Sequence, residues 1–235
     1  MLKQVVLRSI AVGAYFIGIA GAVLFFAYVL GIGTGFWPRG ESADGTSWVS
    51  NLSWLLAFAV QHSGMARQSF KRWWTRWILP ALERSIYVAA SGATLVGLTI
   101  CWQTLPGEPL WSLPIGVVAV SLVAALGTGL CCWRFDHREF FGLQQAWTGE
   151  PESPASLCTT GPYRYVRHPL MLGLLLALWG QPIMPPELLM LNAGFTVYIL
   201  IGIRLEERDL VQCFGEAYLV YRRRVPALLP KVWKT

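Results

Sequence analysis

Apolar and polar positions along this chain come in long blocks. Ile10 to Ile32 is 23 residues without a charge, long enough to cross a hydrocarbon core of roughly 30 Å at about 1.5 Å per residue. Further apolar blocks run from about Trp48 to His62, Ser85 to Trp102, Leu113 to Trp133, Leu170 to Met184 and Leu188 to Ile203. The pattern predicts an all-α fold, a polytopic membrane helix bundle of about five to six transmembrane helices, with N- and C-termini cytoplasmic if six cross. The last two blocks are short and are broken near Pro182 to Glu187, so a tilted pair or one incomplete crossing are the alternatives there. The first block reads as a retained helix, because it is too long for a signal peptide and lacks a small-x-small cleavage site. It ends in Gly31, Ile32, Gly33, Thr34 and Gly35. A nucleotide-binding glycine turn needs a strand before it and a helix after it; here a helix precedes, so the glycines are expected to terminate that helix.

Composition supports the membrane reading. Of 235 residues, 54% are hydrophobic and 14% charged, with mean hydropathy +0.47, whereas soluble domains carry about 25% charged residues. Twelve Trp and eight Tyr suit the membrane interface.

Charge then sets orientation. With a cytoplasmic N-terminus and six crossings, the inside pieces are residues 1–9, 63–84, 134–169 and 204–235. They hold 2, 5, 4 and 7 Lys or Arg, which is 18 of the 19, and only Arg39 lies outside. The positive-inside rule selects this orientation, so the net charge of +6 reflects topology and not a nucleic-acid partner. Lys71, Arg72 and Arg76 interleave with Trp73, Trp74 and Trp77. Beside apolar spans this reads as an interfacial belt with its cations toward headgroups.

The five cysteines, Cys101, Cys131, Cys132, Cys158 and Cys213, are odd in number and form no CxxC pair, so neither a disulfide framework nor a zinc site is implied. His62, His137 and His168 show no metal-ligand spacing, and no metal is expected. No repeat or low-complexity segment is present. One loop, Thr148 to Thr160, is expected to be flexible.

Candidate chemistry concentrates in two polar clusters that an out-and-back helical pair would return to one membrane surface. Gly161 to Gly173, GPYRYVRHPLMLG, carries Tyr163, Arg164, Tyr165, Arg167 and His168 before Pro169. Proline suits the first position of a helix, where free backbone N–H groups favour anionic atoms. Arg204 to Leu210, RLEERDL, carries Glu206, Glu207 and Arg208 and leads to Glu216, Tyr218, Tyr221 and three consecutive arginines. Carboxylates at the end of a span cost desolvation unless a cationic partner uses them.

RHPLMLG at Arg167, then LEERDL, FGEAY and YRRRVP, resemble the isoprenylcysteine carboxyl methyltransferase superfamily of integral membrane enzymes. Met171 departs from its pattern, which often has Tyr there. A narrower resemblance covers most of the chain: QHSGMAR at Gln61, FKRWWTR at Phe70, ERSIYV at Glu83, FGLQQAW at Phe141 and LEERDLVQCFGEAYLVYRRRVPALLP are similar to the bacterial methanethiol S-methyltransferase family. The resemblance implies a single integral membrane methyltransferase domain over 1–235, with a cofactor-binding part at about 161–230. It also implies S-adenosyl-L-methionine as cofactor, methanethiol as the small thiol substrate, dimethyl sulfide as product, and a place in the bacterial inner membrane with the site facing the cytoplasm. It puts His168, Pro169 and Leu170 against the cofactor.

Physical chemistry narrows the other roles without closing them. Arg167 or Arg208 suits the cofactor's carboxylate, Glu206 or Glu207 its ammonium or ribose hydroxyls, and Tyr163, Tyr165, Tyr218 or Tyr221 its adenine or sulfonium. Arg164 shares the same cluster. Because thiolate is the nucleophile, a base is wanted; His62, His137, Tyr218 and Glu207 are the candidates, with His62 favoured at the inner end of a span. Two other readings remain beside the thiol methyltransferase. One is a membrane methyltransferase for a different acceptor, an isoprenylcysteine-like carboxylate or a phospholipid amine. The other is a non-enzymatic membrane protein that uses the clusters as headgroup anchors.

Overall fold

The computed structural model describes residues 2–32, 45–133, 137–149 and 157–230, with side chains at 4–32, 45–127, 138–149 and 157–230. The backbone is helical almost throughout. In order come α1 (Leu2–Val29), α2 (Thr46–Ala66), α3 (Gln68–Trp74), α4 (Pro80–Cys101), β1 (Trp111–Ser112), α5 (Ile115–Trp133), α6 (His137–Phe140) and α7 (Leu143–Thr148). A 3-10 turn (Gly161–Arg164), α8 (Pro169–Trp179), β2 (Ile183–Met184), α9 (Pro186–Phe214) and α10 (Glu216–Arg224) follow.

Helices prevail because lipid offers no partner for backbone N–H and C=O groups, and a helix satisfies them internally. Among the described residues, three helices are long and apolar enough to cross a membrane: Gln4–Val29, Pro80–Cys101 and Pro186–Phe214. Side chains that a soluble domain hides point outward, with Ile115 81% exposed and Val120 and Val123 70% exposed. The chain is thus an all-α polytopic membrane bundle. The expected loop at Thr148 to Thr160 lies outside the described residues over 150–156.

The chain divides into two compact units. The first comprises Met1–Glu108, Asp136–Ser153 and Pro185–Leu191. Its main contact is α1 against α4. A Cβ on Gly21 would lie 2.7 Å from Gly92 Cα, and one on Gly92 would lie 2.7 Å from Gly18 Cα, so only small residues let the two backbones approach this closely. The helix α1 ends as its glycines predict. Gly31 takes φ +67, its N–H donates to Tyr28 O at 3.0 Å, and Ile32 N–H donates to Ala27 O at 2.8 Å. That pair of bonds is a Schellman stop, which favours glycine at the left-handed position. Between α2 and α4, Asn51, fully buried, donates Nδ2 to Gln103 O at 2.8 Å and accepts from Gln103 N at 2.9 Å. Trp77 is 75% exposed and Trp73 50%. Lys71, expected toward the headgroups, instead reaches Glu83 at 3.7 Å.

The second unit comprises Pro109–Phe135, Pro154–Met184 and Asn192–Thr235. Here α8 packs on α5. With 11 residues it is only about 16 Å long at ~1.5 Å per residue, roughly half a hydrocarbon core. The apolar block from Leu170 to Met184 is therefore not one spanning helix. It stops at Trp179, and Ile183–Met184 pairs antiparallel with Trp111–Ser112. Asn192 holds the break closed, donating Nδ2 to Leu178 O at 2.7 Å. The final apolar block and the acidic cluster, by contrast, form the single 29-residue helix α9.

Candidate functional site

Pro169 opens α8 at its first position, with His168 as the residue before it. The backbone just upstream pairs with the chain's C-terminal stretch: Arg167 N–H donates to Pro226 O at 2.9 Å and His168 N–H to Ala227 O at 3.1 Å. The first polar cluster is thereby laid alongside the end of α10, and the second cluster, on α9, meets it there.

The guanidinium of Arg167 occupies the centre. Its Nε donates to Glu207 Oε1 at 2.8 Å, and Nη2 donates to the same oxygen. Its Nη1 donates to the carbonyls of Arg222, at 3.1 Å, and Val225. His168 Nε2 stands 3.2 Å from Glu207 Oε1, and its Nδ1 stands 3.4 Å from Glu206 Oε2. A single Glu207 oxygen therefore faces three nitrogen positions, while Oε2 lies 3.9 Å from Arg222. Arg167 and Glu207 side chains are 9% and 13% exposed, and Glu206 is 50% exposed. For His168, burial lowers the pKa, but the hydrogen bonds and charges of Glu206 and Glu207 outweigh it and the pKa is raised.

Tyr218 and Tyr221 share one buried face of α10, with ring centroids 6.0 Å apart. Tyr221 donates its hydroxyl to Tyr163 O at 2.6 Å. Tyr218 is 1% exposed, and its hydroxyl finds no acceptor among the described residues, an uncommon condition for a buried polar atom; the guanidinium of Arg167 is its near neighbour and can only donate to it. Burial, then the negative charge of Glu207, pushes its pKa up to about 12. A phenol held there is protonated at neutral pH, which makes it a hydrogen-bond donor and not a general base.

The remaining candidates separate. Arg164 and Arg208 are exposed, Pro169 is buried and Leu170 is half-buried. His62 belongs to the first unit, Glu207 and Tyr218 to the second. The side chain of His137 lies outside the described residues. On α2, the His62 ring stacks on Phe58 with centroids 5.2 Å apart. Its Nδ1 is 3.1 Å from Ser91 Oγ, and the Tyr87 hydroxyl is 2.9 Å from Nε2 and 3.1 Å from Nδ1. Gln61 Nε2 donates to Ser91 Oγ at 3.4 Å, and Thr94 Oγ1 donates to Gln61 Oε1 at 2.8 Å. Among the described residues, no three of His, Cys, Asp and Glu gather as metal ligands.

Two features escape sequence reasoning. The carbonyls of Arg222 and Val225 as acceptors for Arg167 carry no side-chain signal at all. Tyr87 and Ser91 do carry one, since the ERSIYV segment stands out in the sequence and a four-residue step places Ser91 on the same helix face.

Comparison with known proteins finds relatives over most of the chain. The sequence pattern of the family described as phospholipid methyltransferase matches residues 115–217, which takes in both clusters. A methanethiol S-methyltransferase of Mycobacterium tuberculosis is 43% identical over 194 residues, covering 79% of this chain and 79% of its own. The methanethiol S-methyltransferase of Crocosphaera subtropica is 36% identical over 257 residues, covering 100% of this chain and 99% of its own. Nurim of Mus musculus is 32% identical over 181 residues, covering 69% of each chain. No solved structure matches the chain.

Proposed function

Since the chain belongs to the methanethiol S-methyltransferase family of integral membrane proteins, we propose that it methylates methanethiol with S-adenosylmethionine and releases dimethyl sulfide. The observation that carries this reading is the end-to-end likeness to the Crocosphaera subtropica protein. It takes in the segment around His62 as well as the C-terminal clusters.

S-adenosylmethionine supplies a methyl group on a sulfonium, and the sulfide that leaves is neutral, so the protein's tasks are to bind, to align and to raise the thiolate fraction. The second unit fits the donor's polar end. The buried hydroxyl of Tyr218, which finds no acceptor among the described residues, is free to donate to a bound one. The half-exposed Glu206 carboxylate suits an ammonium or ribose hydroxyls. Arg208 lies exposed and suits a carboxylate, whereas Arg167 is committed to Glu207 and to two backbone carbonyls. Glu207 and Arg167 then shape the site from behind. Tyr163, Arg164, His168, Pro169, Leu170 and Tyr221 complete its wall. His62, within the first unit, stands as the candidate base on its own residue chemistry.

The site is assigned to the cytoplasmic face of a bacterial inner membrane, a reading supported by the 18 of 19 cations that fall on one side when six segments cross. Methanethiol partitions into hydrocarbon, so it reaches a membrane enzyme laterally.

The test is headspace gas chromatography on purified protein in detergent, supplied with S-adenosylmethionine and methanethiol, with Glu206→Ala as control. Dimethyl sulfide from the parent and much less from the variant supports the proposal. Methyl transfer to a phospholipid amine but not to the thiol replaces methanethiol with a lipid acceptor. Folded protein that binds no donor by calorimetry overturns the enzyme reading.

A further inference from the structure

His168 is buried, yet each of its ring nitrogens faces a different carboxylate. Its side chain is 4% exposed, with Nε2 3.2 Å from Glu207 Oε1 and Nδ1 3.4 Å from Glu206 Oε2. An ionised carboxylate only accepts, and a neutral imidazole has one N–H and one lone pair. A neutral ring would set its lone pair against one of the two acids, whereas an imidazolium donates to both. The ring is placed by the backbone, since His168 N–H donates to Ala227 O at 3.1 Å and Pro169 starts α8 directly after it. Its two partners differ in freedom. Glu207 is tied down by Arg167 Nε at 2.8 Å, while Glu206 is 50% exposed. A glutamate that open moves among its rotamers unless something holds it. Among the described residues, what holds Glu206 is His168.

We propose that His168 is a positioning residue, which aims the Glu206 carboxylate into the donor site by bridging it to the buried Glu207–Arg167 pair. This inference deepens the methyltransferase reading and rests on its assignment of Glu206 to the donor's ammonium or ribose hydroxyls. Every group in it belongs to the second unit. Held this way, Glu206 gives Oε2 to the imidazolium and keeps Oε1 for a ligand. The His168 ring has little surface left to offer a ligand of its own, so its effect passes through Glu206.

Loss of one proton undoes the aim. Glu207 is pinned by Arg167 and cannot retreat from a lone pair, so the remaining N–H stays on Nε2. The lone pair on Nδ1 then faces Glu206, which turns to water. Burial lowers the pKa of His168, but the hydrogen bonds and charges of Glu206 and Glu207 outweigh it and hold it above the ordinary value. Donor affinity should therefore fall as pH rises through that raised value. The other charged or titratable groups around the cluster are Arg167 beside His168, and Arg222 and Tyr218, which approach Glu207 from α10. The helix α8 and the described side chains of α5 add none. Removing the imidazolium charge by itself would tighten an ammonium ligand, the opposite of what a lost aim does. The alternative is an ion-pair cluster that only joins α8 to α9, which moves melting temperature and leaves donor binding alone.

Calorimetric titration of the full chain in detergent with S-adenosylhomocysteine separates the two. Below neutral pH, Glu206→Gln is expected to weaken Kd about tenfold, the scale of one hydrogen bond to a charged group, and His168→Gln to weaken it by a large part of that. The double variant should match Glu206→Gln alone within about twofold, because a residue that acts only through Glu206 has nothing left to act on. The parent's Kd should also weaken between about pH 6.5 and 8.5, the range over which a raised imidazole titrates. His168→Gln should show only the ligand's own titration, which the parent shares. Losses that multiply in the double variant, or a parent affinity that tightens with pH relative to His168→Gln, overturn the positioning role. If His168→Gln does not fold, the parent against Glu206→Gln carries the test: a ratio of Kd values that shrinks with pH supports the bridge, and a constant ratio overturns it. A parent that binds no S-adenosylhomocysteine at any pH removes the donor reading and this inference with it, whereas binding with a constant ratio removes this inference alone.

Discussion

Arg167 and Glu207, 40 residues apart, form a pair in which two guanidinium nitrogens donate to one carboxylate oxygen. The third nitrogen of the same guanidinium holds the carbonyls of Arg222 and Val225. One side chain thus ties α9 and the end of α10 to the start of α8. Both partners are nearly buried, and removing one partner from such a pair strands the other's charge. Arg167→Ala should therefore cost about 3 kcal/mol or more of stability. Arg167→Lys should recover little, since an ammonium cannot reproduce the fork. Chemical denaturation of both variants checks this; a Lys variant as stable as the parent would show that charge alone suffices.

His168 predicts a pH dependence. Its pKa is raised in the folded chain, so its protonated form favours folding. The stabilisation is fully present below the unfolded value of about 6.5 and is lost as pH rises through the raised, folded value. The melting temperature of the parent should exceed that of His168→Gln most at pH 6 or below, and the gap should narrow at alkaline pH. Scans in detergent over that range check it. A gap that widens with pH would reverse the assigned direction.

How far the sequence speaks depends on what kind of signal each element leaves. Long charge-free blocks announce α1, α4 and α9 because the bilayer imposes length and polarity together. Gly31 announces a helix stop because a left-handed residue disfavours a side chain. The polar clusters show which residues assemble at one place, since Arg167, His168, Glu206 and Glu207 do meet. Their division of labour is not legible. Glu206 and Glu207 are adjacent and chemically alike in sequence, and only the fold makes one a buried anchor and the other half-exposed. The shortness of α8 is half legible, since the block breaks near Pro182 to Glu187 and an incomplete crossing is among the alternatives, whereas the pairing of Ile183–Met184 with Trp111–Ser112 is a long-range event that no local pattern records.

The crossing of α1 and α4 rests on Gly18, Gly21 and Gly92. A side chain at Gly92 meets the backbone of Ile17 and Gly18, which cannot yield by changing rotamer. Gly92→Leu should force the helices apart at a cost of about 3 kcal/mol or more, at the top of the range for overpacking. Gly64→Ala, where nothing lies within 4 Å, is the matched control. Thermal scans of the two variants decide the matter, and equal melting temperatures would contradict the close approach.

Tyr218 offers a test in which stability and binding move differently. Its hydroxyl is buried with no acceptor among the described residues, so in the unliganded protein its O–H contributes desolvation cost and donates no hydrogen bond. Tyr218→Phe removes one oxygen, leaves the ring against Tyr221, and should keep or slightly raise the melting temperature. If the hydroxyl donates to the bound donor, the same variant loses a hydrogen bond of about 1.5 kcal/mol, which is a roughly tenfold weaker Kd for S-adenosylhomocysteine. Calorimetry with that ligand on parent and variant reads both quantities. Unchanged affinity with unchanged stability removes Tyr218 from the site. A lowered melting temperature would mean that the hydroxyl already has a partner in the folded chain.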